Sequence, residues 1–189
     1  VRLNFLGQGD IPSENGIILW DDTNGYPVVS KNGEFRQILL EDGHYNGGIG
    51  TNQTAAATNT AYALTYTPSL QDGITNGTPA SRLVVEEAGY YQISFSAQIS
   101  STSGSDVKFY FWPRVNGTDV AGATMINTLH NNGASIVTGR TAAFELAAND
   151  YIEAMWAVDS TSGFLEAAAA TAFAPAAPAS TISIVRLHG

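Results

Sequence analysis

The residue types that most often do covalent chemistry are sparse and scattered in this 189-residue chain. There is no cysteine and no Gly-x-Ser-x-Gly. The three histidines, His44, His130 and His188, fall in a glycine-rich stretch, a turn and the end of the sequence. A hydrolase needs a nucleophile within reach of a base and of oxyanion donors, and no such constellation is written here, so no catalytic residue is assigned and no enzyme is expected. Glu41, Asp42 and His44 are metal-ligating types close together, which one residue per chain around a symmetry axis would turn into a ligand set. Solvation of a polar linker explains them with fewer assumptions, because no second ligand cluster is near in sequence. Asp21-Asp22-Thr23-Asn24-Gly25 resembles half of a calcium loop, but Trp20 stands at the first ligand position and Lys31 at the closing glutamate, so a hairpin turn is expected instead. Leu6-Gly7-Gln8-Gly9 is not followed by a βαβ unit, which excludes a nucleotide loop. No cofactor and no metal are therefore expected.

The chemistry-bearing set that remains is aromatic: Tyr90, Tyr110, Trp112, Tyr151 and Trp156. On exposed loops such rings stack on sugars or fill an interface, and inside a sheet they are core. All five fall in strand-like runs, so core packing or contact between subunits is the expectation. Of the Asn-x-Thr sequons at Asn52, Asn76 and Asn116, the last is explained by a hairpin, since Asn116-Gly117 suits a type I′ turn.

The elements that must hold these residues are β-strands. In Arg82–Ile99, Tyr91, Ile93, Phe95, Ala97 and Ile99 alternate with Tyr90, Gln92, Ser94, Ser96 and Gln98, the period of a half-buried strand. Its polar side is short and neutral and could meet a second chain as readily as water. Val107, Phe109, Phe111 and Val115 alternate likewise with Lys108, Tyr110, Trp112 and Arg114. Further strands are expected at 61–67, 120–129, 134–146, 151–158 and 181–187, with a long turn-rich loop over Pro68–Pro79. Phe164–Thr171 is the best helix in the chain by propensity, but it is short, uncapped and surrounded by β patterns, so strand or irregular structure is expected. Before residue 42, runs at Ile17–Trp20, Tyr26–Ser30 and Glu34–Leu40 separated by Asn-Gly turns predict a three-stranded meander. Asp42–Asn59, rich in Gly, Asn and Thr, reads as a linker. The expected layout is thus residues 1–48 as meander and linker and residues 49–189 as an antiparallel jelly-roll sandwich, an all-β protein.

Composition narrows the partners. A net charge of −9 with only eight Lys plus Arg argues against a nucleic-acid backbone. No leader and no membrane-spanning run are expected, since Pro175 and Pro178 interrupt the one long apolar tract. With 44 % hydrophobic and 13 % charged residues the chain is globular.

The order AGYYQISFSAQI, FYFWPRVNGTDV, FELAANDYIEAMW, a Pro-containing loop and a terminal strand resembles the tumour necrosis factor-like, complement-globular-head-like jelly roll, above all as it occurs in bacteriophage virion proteins. Gly89-x-Tyr91, Arg114-Val115-Asn116-Gly117 and Asn149-Asp150-Tyr151-Ile152-Glu153 carry the resemblance, over about residues 50–189. Asn149, where glycine is usual, and the alanine tract 167–170 depart from it. The resemblance implies a homotrimer, with Tyr90, Gln92, Tyr110, Trp112 and Tyr151 as expected trimer contacts. It also implies a place on the exterior of a virion, either as a capsid decoration or cement protein on the major capsid protein or as a short tail fibre gripping a host surface glycan. Ile17, Ile18, Leu19, Trp20, Val28, Val29, Phe35 and Ile38 exceed what three short strands can bury among themselves, so the meander is expected to dock on the particle, or else to pack back on its own jelly roll.

Overall fold

The computed structural model of the chain describes residues 18–21, 26–31, 34–37 and 43–188, with side chains over 43–187. It forms two compact units, 1–41 and 42–189. The first holds β1 (Ile18–Asp21), β2 (Tyr26–Lys31) and β3 (Glu34–Gln37) as an antiparallel sheet in that order. Leu19 stands opposite Val28, and Ser30 opposite Phe35. The meander is therefore present as expected. Its Asn-Gly turns, Ile17, Ile38, Glu41 and Asp42 lie outside the described residues, as do the side chains of Ile18, Leu19, Trp20, Val28, Val29 and Phe35.

The second unit contains β4 (His44–Ile49), β5 (Gln53–Thr54), β6 (Tyr62–Ala63), β7 (Thr67–Asp72), β8 (Ile74–Asn76), β9 (Leu83–Val85), β10 (Gly89–Ser101), β11 (Val107–Val115), β12 (Thr118–Asp119), β13 (Met125–Leu129), β14 (Ser135–Leu146), β15 (Tyr151–Val158), β16 (Gly163–Leu165) and β17 (Ser180–His188). Two antiparallel sheets result. In the front sheet β14, β10, β17, β4 and β7 lie side by side, with β16 and β5 extending the far end of β10. In the back sheet β11 is flanked by β12 and β13 on one side and by β15 on the other, with β9, β8 and β6 beyond. No helix occurs among the described residues.

The core is the sum of the period-two patterns. Tyr91, Ile93, Ala97 and Ile99 of β10 and Ile182 and Ile184 of β17 face Val107, Phe109 and Phe111 of β11 and Ile152, Ala154, Trp156 and Val158 of β15, all buried. Burying one such large side chain stabilises the fold by about 1.5–3 kcal/mol. Trp156 is thus a core residue, tilted against Tyr62 at 6.0 Å.

Three expectations are corrected. Asp42–Asn59 is not simply a linker: β4 runs through it between β17 and β7, with Tyr45 and Ile49 buried. Its inward row is Tyr45, Gly47 and Ile49, and the glycine hides the alternation. A Cβ on Gly47 would lie 2.7 Å from the Tyr45 ring and 2.9 Å from Tyr66 Cβ, so the two tyrosines occupy the space a side chain would need. The loop expected over Pro68–Pro79 carries most of β7 and all of β8, joined at Gly73 with φ +62°. The strand expected at 120–129 begins only at Met125, because Gly122 turns the chain with φ +73°.

Other local expectations hold. Asn116 and Gly117 both take positive φ, +48° and +79°, as a type I′ hairpin demands. Asn149 has φ +68°, a conformation asparagine tolerates better than other non-glycine residues, which accounts for its standing where glycine is usual. Phe164–Thr171 is not helical. Leu165 is buried opposite Ile99, Glu166 N–H donates to Gln98 O at 2.9 Å, and Ala168 bridges to Ala177, so neighbouring strands take the backbone bonds a helix would use.

Candidate functional site

The five residues expected at a trimer contact do not share a surface. Tyr90 and Gln92 point outward from the front sheet, whereas Tyr110, Trp112 and Tyr151 lie on the outer side of the back sheet. Each face has its own chemistry.

The front face is built from residues that lose little when dried. Gln92, Ser94, Ser96 and Gln98 of β10 run beside Val137, Gly139, Thr141 and Ala143 of β14 and beside Thr181, Ser183, Val185 and Leu187 of β17. None of these is charged. Val137 is 66 % exposed, Leu187 44 % and Val185 40 %. The hydroxyls pair across strands, Ser94 Oγ with Thr141 Oγ1 at 2.9 Å and Ser96 Oγ with Thr181 Oγ1 at 2.7 Å. Gln98 Nε2 donates to Pro178 O at 2.7 Å. Polar groups that already have partners cost much less to take out of water than groups bound only to solvent. Charge enters at the margin, where Glu145 stands opposite Tyr90 and its negative field raises the pKa of that phenol.

The back face mixes exposed apolar residues, such as Ile126 opposite Tyr110, with polar groups held by hydrogen bonds and one ion pair. Trp112 Nε1 and Arg114 Nε, two positions apart on β11, both donate to Asp119 Oδ1 at 2.7 Å. The two donors hold the Asp119 carboxyl below its ordinary pKa, and the same bond raises that of Arg114. Farther along, Ser81 Oγ donates to Glu153 Oε1 at 2.7 Å with both residues buried, and the Arg82 guanidinium lies 4.4 Å from the centre of the Tyr151 ring. Beside the triad is a groove of about 460 Å³ lined by Tyr110, Trp112, Asp119, Asn59, Thr124 and Ala157.

Between the sheets, at the β14 edge, a cavity of about 50 Å³ is lined by Phe95, Phe111, Met125, Ala142, Phe144 and neighbours. Its walls are apolar apart from Arg140, whose guanidinium donates to Ala123 O at 3.0 Å, so it offers little with which to fix a polar ligand. Among the described residues no three His, Asp or Glu side chains gather to hold a metal ion. His44 sits on β4 opposite Asp72, and His130 Nδ1 pairs with Asp106 at 2.8 Å; the side chain of His188 lies outside the described residues.

Asp119 and Glu153 were not legible as site residues. Asp119 is anchored to Trp112 by the Asn116-Gly117 hairpin, a local signal that strand assignment alone does not use. Ser81 and Glu153 are far apart in sequence and meet only through the sheet.

No protein-family model matches the chain, and no curated protein matches it in sequence. Among solved structures it is similar to the crystal structure of murine APRIL, at 10 % sequence identity and a TM-score of 0.50, over 78 % of this chain and 100 % of that one. The fold is a tumour necrosis factor-like jelly roll. At that identity the likeness speaks for fold alone.

Proposed function

We propose that this is a non-enzymatic structural protein that assembles as a homotrimer on the exterior of a bacteriophage particle, as a capsid decoration or cement protein. The observation that carries the assembly is the front face, uncharged where β14, β10 and β17 run side by side and with the hydroxyls of Ser94, Thr141, Ser96 and Thr181 already paired. Such a face suits burial against copies of itself, and a threefold arrangement is what the tumour necrosis factor-like resemblance implies. The phage setting rests on the sequence resemblance of AGYYQISFSAQI, FYFWPRVNGTDV and FELAANDYIEAMW. In this reading the meander, with its surplus of Ile, Leu, Val and Trp, docks on the major capsid protein, and repeated weak contacts over a lattice add up to firm attachment.

Deleting residues 1–41 tests the docking. The deletion has to stop at Glu41, because a cut at residue 48 would remove β4. The remaining unit is expected to stay folded and trimeric yet fail to bind particles that lack the protein. Normal decoration by the truncated protein would overturn the docking role.

A second reading, a short tail fibre or receptor-binding knob that grips a host glycan, is favoured by one feature, the aromatic groove at Tyr110 and Trp112. Gold-labelled antibody on intact particles separates the two, on capsid lattice positions or at the tail.

A further inference from the structure

The geometry points to the groove beside β11 as a binding site for a neutral saccharide. This deepens the glycan-gripping reading and rests on it, while the assembly reading stands without it. Tyr110 and Trp112 occupy alternate positions of one strand, so they share a face about 7 Å apart by strand rise. A pyranose ring has an apolar C–H face that lies against such rings and a rim of hydroxyls that need partners at the edge. Both requirements are met here. Trp112 is held by its indole N–H on Asp119 Oδ1, so little side-chain freedom remains to be lost on binding. Asp119 Oδ1 takes both donors, from Trp112 and Arg114, and Oδ2 has no partner among the described residues. Its lowered pKa keeps it a carboxylate, which accepts hydroxyl hydrogen bonds more strongly than a neutral oxygen does.

The remaining wall fits the same ligand. The Tyr110 hydroxyl and the Asn59 side-chain amide have no partner among the described residues, and Asn59 is fixed in backbone by its N–H on Val158 O at 2.8 Å. Ala157 and Gly122 put no bulk beside the rings. Charge sets the class of sugar. A carboxylate in the groove and a net charge of −9 on the chain disfavour uronic and sialic acids and phosphorylated ligands, leaving neutral hexoses and N-acetylhexosamines. The groove lies on the sheet opposite the uncharged front face, so self-association through that face leaves it open.

The test uses the full chain and saturation-transfer NMR with the methyl glycosides of galactose, glucose, mannose and N-acetylglucosamine, with glucuronic and sialic acid as anionic controls. At least one neutral glycoside is expected to receive saturation. Its affinity is expected to fall at least tenfold in Tyr110→Ala and several-fold in Asp119→Asn, and titration of the unaltered protein should shift the Trp112 indole N–H resonance. That resonance needs no variant and so holds if Tyr110→Ala fails to fold. Binding that is unchanged in both variants and leaves the Trp112 signal still overturns this site but not the glycan reading. Preference for the anionic sugars overturns this site but not the glycan reading, and transfer to none of the glycosides, neutral or anionic, overturns both.

Discussion

Phe95 of β10 and Phe111 of β11 meet between the two sheets, their ring centroids 5.3 Å apart and their planes tilted by 44°. This pair closes the core beside the small apolar cavity at the β14 edge, so neither ring can be removed without enlarging a void that is already there. Phe111→Ala is expected to destabilise the protein by about 3–5 kcal/mol. Urea unfolding would show it as a lower midpoint at unchanged slope, and a loss under about 1 kcal/mol would mean that the sheets repack over the gap.

The buried carboxylate of Glu153 depends on Ser81. Ser81→Ala removes the 2.7 Å bond and leaves an acceptor inside the protein without its donor. A loss of about 1–3 kcal/mol in thermal or urea unfolding is expected, whereas a surface serine changed to alanine would fall within about 0.5 kcal/mol.

The turn before β15 tests a backbone conformation. With φ at +68°, Asn149→Ala is expected to destabilise by about 1–2 kcal/mol and Asn149→Gly to be nearly neutral. Equal losses in the two variants would show that the Asn149 side chain, not the dihedral, is what matters.

The Trp112–Asp119 bond gives a pH prediction with a definite sign. The folded carboxyl has a depressed pKa, so the bond's contribution is complete above the unfolded value of 3.8 and is lost as pH falls through the lower folded value. The Trp112 indole N–H resonance should therefore titrate with a midpoint below 3.8. A midpoint at or above that value would contradict the pairing.

What the sequence made legible follows from how each signal is carried. The alternation in Tyr91, Ile93, Phe95, Ala97 and Ile99 is written in large side chains, and β10 extends over it as expected. The same alternation in β4 passes through Gly47, where Tyr45 and Tyr66 supply the missing bulk, so the strand looked like a linker. The aromatic residues are legible by type. Their division between two faces was not visible, because parity fixes sides within one strand and not which side of which sheet faces out. Asp119 escaped notice because its importance lies in a bond across a hairpin, not in a motif.

Assembly through the uncharged front face, as proposed above, turns on whether that face joins copies of this chain. Ser183 stands near the middle of that face on β17, with β10 on one side and β4 on the other, and a glutamate there would bring an unpaired charge into any such contact. Sedimentation equilibrium of the unaltered chain and of Ser183→Glu measures it directly. A mass near three times 19.9 kDa is expected for the first and near 19.9 kDa for the second, with the same β-sheet circular dichroism in both. An unaltered chain that sediments as a monomer at tens of micromolar, or a Ser183→Glu trimer as tight as the original, would contradict it.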